Sequence, residues 1–276
     1  MRGSLGLRAG VLSALIFLFF VLIWHVGTMP VERAVNADPE YAKLVGGGKS
    51  AGLPTPLMIA QTVWTQIRDP FYDRGPNDKG IGIQLAYSMA RVGFGFALAA
   101  LLAVPLGFLI GMSPLIYRAL NPFIQVLKPI SPLAWMPLAL YTIKDATISS
   151  IFVIFICSVW PMLINTAHGV ASVKREWLNV ARTLEVGPVR RAFRVILPAA
   201  APVILTGMRI SMGIAWLVIV AAEMLVGGTG IGYFVWNEWN NLSLTNVIFA
   251  ILVIGITGML LDLVFGWLTQ LVTYRE

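Results

Sequence analysis

A single cysteine, Cys157, and two histidines, His25 and His168, are all the thiolate and imidazole ligands the chain offers. One cysteine cannot build a disulfide framework, and three scattered donors argue against a transition-metal site. Charge is scarce too: only 12% of residues are Asp, Glu, Lys or Arg, with no cluster of acids, so the grouped acid and base side chains of a membrane enzyme are missing. No glycine-rich loop ends in the lysine and hydroxyl residue of a phosphate cradle, which excludes ATP hydrolysis by that route. "GGTGIG" at residues 227–232 follows an apolar run rather than a strand, and reads as a bend at the outer membrane surface with no ligand.

What is present is apolar. Hydrophobic residues make up 58% of the chain, and its 26 glycines are threaded through runs of about 20 residues, long enough for a hydrocarbon core roughly 30 Å thick. The net charge of +7 is not spread over one basic face, so it does not point to nucleic acid.

Six spans can be read along the chain: Ala9 to about Thr28, Arg91 to Met112, Ala119 to Ile143, Ser149 to Ala167, Ala199 to Val226 and Val247 to Thr269. The first is longer than a signal-peptide core and lacks a small-x-small cleavage site, so it reads as a retained anchor, residues 1–28. Residues 29–82 form a hydrophilic external segment of balanced charge, in which Pro56 opens a surface helix with Leu57, Ala60, Val63 or Trp64, and Ile67 at helical spacing. Residues 83–276 carry the other five spans. Gly95, Ala99, Ala103, Gly107 and Gly111 recur every fourth residue and make a small-residue ridge for close helix packing. Pro122, Pro129, Pro132 and Pro137 break the third span, as a kinked packing helix or as one lining a pathway.

An even number of spans puts both termini on one side. With Arg2 and Arg8 cytoplasmic, so is the segment 168–198, where Lys174, Arg175, Arg182, Arg190, Arg191 and Arg194 outnumber Glu176 and Glu185. Within about 172–198, Trp177, Val180, Ala181 and Leu184 share one helical face and Gly187 supplies a helix stop. Pro188 opens a second short helix with Val189, Phe193, Ile196 and Leu197 on one face and arginines on the other.

These residues resemble the cytoplasmic loop of permease subunits from binding-protein-dependent ABC importers: Glu-Ala-Ala, three residues, Gly, nine residues, Ile-x-Leu-Pro. Asn179, Val180 and Ala181 stand at the opening triplet, Leu184 follows, and Val195, Leu197 and Pro198 close the pattern. Glu185 occupies the usual glycine position, and Gly187 is expected to take over the turn. Over residues 80–270 the likeness tightens toward nitrate-transporter permeases, relatives of bicarbonate, taurine, sulfonate and cyanate permeases, through "KPISPLAWMPLAL", "FICSVWPMLINTAHGV" and "GIAWLVIVAAEMLVGGTGIGYFVWNEWNNL".

The resemblance implies an all-α fold with six transmembrane helices of the type I importer class, in the bacterial inner membrane. It implies a second permease copy, an external solute-binding protein, and two separate ATPase subunits that carry ATP and Mg and seat the 172–198 loop. The cargo it implies is a small anion: nitrate or nitrite, with bicarbonate, cyanate and organosulfonate as alternatives. A passive anion channel is the rival class, which the paired cytoplasmic helices oppose.

Ionisable residues inside spans are functional candidates. Arg209 and Asp262 lie at similar depth on antiparallel spans and can pair, or Arg209 can meet the anion directly. Glu223 is structural or part of an outer gate, with Arg91, which opens the second span, as its candidate partner. Ser131, Trp135, Ser211 and Trp216 are the candidate pathway lining, since hydroxyl and indole donors suit weak anion contacts.

Overall fold

The computed structural model describes residues 2–28, 53–75 and 77–272. Glu32, Arg33, Asp38, Glu40, Lys43 and Lys49 of the expected external segment lie outside the described residues. Among the described residues the chain is helical, with one isolated bridge between Asp73 and Lys79 in place of any sheet. Five helices are long and apolar enough to cross a membrane, or six when one bent pair counts as a span.

The chain divides into two compact units, Met1–Asp69 with Glu238–Ala250, and Pro70–Asn237 with Ile251–Glu276. In the first, α1 (Arg2–Thr28) is apolar on all sides, the pattern of a helix surrounded by lipid. Helix α2 (Pro56–Arg68) starts where the sequence places it: Pro56 is the first helical residue and the Thr55 hydroxyl accepts a hydrogen bond from the Met58 amide at 3.3 Å. Leu57, Trp64 and Ile67 are exposed, as a surface helix requires.

The second unit is built on α3 (Ile81–Met112), α6 (Ala146–Ala171) and α9 (Leu197–Val226), with α6 between the other two. The small-residue ridge of α3 faces α6. A methyl added at Gly107 would stand 2.7 Å from the Leu163 carbonyl oxygen, and one at Gly111 would meet Val170 at 2.7 Å. Ala103 and Ala99, one and two steps before Gly107 on the ridge, are fully buried. Backbones that approach this closely gain dispersion contacts, the main source of helix association inside lipid.

Between α3 and α6 the chain forms α4 (Pro114–Leu127) and α5 (Pro132–Ile143), bent 88° to each other. Pro129 and Pro132 explain the break, because each removes a backbone donor and Pro132 is pre-shaped for a new helix start. The Asp145 carboxylate then caps α6 by accepting from the Ile148 amide at 2.7 Å. Helix α7 (Arg175–Thr183) follows α6, and α8 (Pro188–Arg191) runs through a widened turn, Ala192–Ile196, into α9. After α9 come α10 (Ile231–Asn240) and α11 (Leu244–Val272).

Three boundaries differ from expectation. The second span begins at Ile81, not Arg91, so Arg91 lies inside the helix. The short helix opened by Pro188 is not separate but the start of one helical stretch from Pro188 to Val226. Its widened turn has the i→i+5 bond from the Leu197 amide to the Ala192 carbonyl, just before Pro198, which has no N–H with which to continue the ordinary pattern. The third span begins at Pro114, not Ala119, and is broken at its prolines as the sequence leads one to expect.

Candidate functional site

The segment 172–198 is built as an exposed apolar surface on a fixed base. Ala181 of α7 is buried, and Leu178 packs with Ile196, Ala200, Val170 and Val173 in a cluster that joins α7 to the ends of α6 and α9. The opposite side is open: Trp177, Val180, Leu184, Val189 and Phe193 are all exposed, Leu184 by 70% and Phe193 by 67%. Arg182, Arg190 and Arg194 are exposed around them. Five exposed apolar side chains in one short segment with a cationic rim have the composition of a protein-docking surface. Asn179, Glu185 and Pro198 are exposed at its edges, while Val195 and Leu197 are half-buried toward the base.

The turn between the helices lies at Glu185, not Gly187. Glu185 has φ +52°, in the left-handed region, and the Val186 amide reaches back to the Ala181 carbonyl at 3.0 Å while the Leu184 amide reaches Val180 at 3.0 Å. These bonds close the end of α7 in the manner that glycine usually allows. Gly187 has an ordinary φ of −56° and precedes α8, its carbonyl accepting from the Arg191 amide at 2.9 Å. The glutamate therefore holds a left-handed conformation that glycine takes without strain.

Two ion pairs stand within the helices of the second unit. Arg91 donates to the Glu223 carboxylate at 2.7 Å and to the Thr229 carbonyl at 2.7 Å, with both charged side chains buried. The Ser88 hydroxyl donates to the same carboxylate, and Glu223 accepts the Gly232 amide at 3.0 Å. Ser88 in turn accepts the Ile231 amide at 2.9 Å, and Gln84 accepts the Gly230 amide at 2.6 Å. Side chains of α3 and α9 thus satisfy the otherwise unpaired amides that open α10. Gly227 and Gly228 have φ of +78° and +87°, and a side chain on Gly230 would collide with the Glu223 carboxylate, which explains the glycines of "GGTGIG" without a nucleotide.

The second pair is Arg209 and Asp262, joined as a fork by Nε to Oδ1 at 2.6 Å and by Nη2 to Oδ2. Unlike the first, it is open: the two side chains are 42% and 53% exposed.

Residues 103–275 match the family of binding-protein-dependent transport system inner membrane components. The chain belongs to this family. The nitrate import permease protein NrtB of Synechocystis sp. is 44% identical over 234 residues, which cover 85% of each chain. NrtB of Leptolyngbya laminosa is 43% identical, covering 85% of this chain and 84% of its own. The bicarbonate transport system permease protein CmpB of Synechocystis sp. is 41% identical, covering 81% and 82%. In fold, the permease is similar to the MetNI methionine ABC transporter in an inward-facing conformation, with a TM-score of 0.61 at 13% identity, over 68% of this chain and 94% of that one. It is a multi-pass membrane transport subunit of the type I importer fold.

The permease's four expected pathway residues separate into two groups. Ser131 is exposed at the 88° bend, and half-buried Trp135 lines a cavity of about 250 Å³ with Lys128 and Trp160. Ser211 and Trp216 need correction. Both are buried; the Ser211 hydroxyl donates to the Ser158 carbonyl at 2.8 Å and the Trp216 indole to the Ile254 carbonyl at 3.0 Å. Their donors hold helices together and offer nothing to cargo in this conformation. Sequence reasoning missed Gln84 and Ser88. Their signal was a polar stripe, Gln84, Ser88 and Arg91, at helical spacing before an apolar run.

Proposed function

We propose that this permease is the membrane subunit of an ATP-driven importer of nitrate, working as one of two copies between an external binding protein and two cytoplasmic ATPases that hold ATP and Mg. Both termini then face the cytoplasm of a bacterial inner membrane, and the 172–198 segment faces the ATPases. The exposed apolar patch of Trp177, Val180, Leu184, Val189 and Phe193 carries this reading, because it is far too apolar for a solvated loop and has a rigid base through which to pass on a push.

Closure of the ATPases moves α7, and with it the ends of α6 and α9 that share its hydrophobic cluster. Access to the pathway then alternates between the two sides while the external protein selects cargo. The permease makes and breaks no covalent bond. A passive channel has no use for such a patch.

Nitrate is supported by the names of the NrtB relatives, and bicarbonate by CmpB at nearly the same identity. Vesicles containing the co-expressed permease, ATPases and binding protein decide between them. ATP-dependent uptake of nitrate, competed by nitrite and unaffected by excess bicarbonate, is the expected result. Uptake without ATPase subunits, or competition by bicarbonate alone, contradicts it.

A further inference from the structure

The Arg209–Asp262 pair is out of place for a lipid-facing surface. Arg209 is the thirteenth residue of α9 and Asp262 the nineteenth of α11, so each is several turns from a helix end, yet both side chains stay largely exposed. Charges at such depth face water or protein, because exposing them to hydrocarbon costs several kcal/mol.

The pair also leaves one edge of the guanidinium unused. Asp262 takes Nε and Nη2, and Nη1 makes no hydrogen bond among the described residues. Gly266 lies beside the guanidinium: a methyl placed there would rest at 3.6–3.7 Å from Cζ, Nη1 and Nη2, an ordinary van der Waals contact. From this point a groove of about 880 Å³ runs along α11 past Trp267, Thr269 and Gln270 toward the end of the helix.

We propose that this groove is the inner part of the anion pathway and that Nη1 of Arg209 is a transient contact for a small planar oxyanion. The inference rests on the importer reading and names residues within it. Guanidinium N–H groups match an oxyanion's paired oxygens. Asp262 does two things: it fixes the guanidinium plane and it neutralises most of the charge. A lone arginine would hold the anion; an arginine already paired attracts it briefly and lets it go, which suits conduction better than tight binding.

The test uses the complete reconstituted complex with Gln270→Cys, since Cys157 is buried and gives little background. A membrane-impermeant anionic methanethiosulfonate should label this position from the aqueous phase, and nitrate but not gluconate should slow the labelling. Absence of labelling means that lipid or the second copy covers the face, and labelling indifferent to nitrate means that no anion passes; either result overturns the proposal.

A charge swap, Arg209→Asp with Asp262→Arg, reads the same question by function. It should assemble, with the ATPase subunits co-purifying, while losing most nitrate uptake, whereas full recovery of uptake would show a purely structural pair and overturn the proposal. If the swap does not assemble, the labelling decides alone. Failure of the unmodified complex to take up nitrate on ATP addition rejects the importer reading instead, while nitrate protection at residue 270 still reports on the groove.

Discussion

Glu185 shows how a single backbone angle can stand in for a motif residue. A non-glycine residue in the left-handed region is strained by about 1–2 kcal/mol, and at Glu185 that strain is compensated by the hydrogen bonds closing α7. Glu185→Val should therefore lower the thermal stability of the purified complex by about 1–2 kcal/mol and weaken ATPase stimulation, because a β-branched residue tolerates this conformation worst. Gly187→Ala should change neither, since Gly187 has an ordinary φ and nothing within 4 Å of an added methyl. The reverse ranking would place the turn at Gly187. At the buried pair, Arg91→Met strands the Glu223 carboxylate and should destabilise by about 3–5 kcal/mol in a detergent melt. Glu223→Gln should be milder, since its amide oxygen can still accept the Gly232 amide; equal effects would contradict the cap role.

Helices were the most legible part of the sequence, and their ends the least. Runs of apolar residues mark the spans because lipid demands them, and the four-residue recurrence from Gly95 to Gly111 marks the α3 face that meets α6. The outer ten residues of α3 escaped notice because Gln84, Ser88 and Arg91 look like a loop until Glu223 is known to lie opposite. The turn at Glu185 escaped because a glycine two residues later was the more familiar candidate, and the continuity of α8 with α9 because the apolar run that marks the span reads only from about Ala199. Ser211 and Trp216 were read as donors toward a pathway, but an in-span hydroxyl or indole satisfies itself on a neighbouring carbonyl just as readily. The ridge gives an element-scale prediction. Gly107→Ala should cost about 1–3 kcal/mol by forcing α3 away from the Leu163 carbonyl, whereas Gly93→Ala, exposed on the same helix, should be neutral in the same melt. Equal stability of the two variants would mean that α3 does not pack closely on α6.

For the whole molecule, one division of labour accounts for the distribution of polar groups. The buried Arg91–Glu223 network fixes the loop after α9, the open Arg209–Asp262 pair sits in a groove, and α7 and α8 expose a patch of large apolar side chains. Replacing Leu184 with Asp should leave the fold intact, since the side chain is bare, but should reduce ATPase co-purification and uptake together. Loss of uptake with the ATPase fully retained would move the role of this patch from docking to something else. The most direct measurement is a photo-crosslinking amino acid at position 184, irradiated in membranes during ATP-driven nitrate uptake. The account predicts an adduct with the ATPase subunit; adducts with phospholipid alone, while uptake continues undiminished, would contradict it.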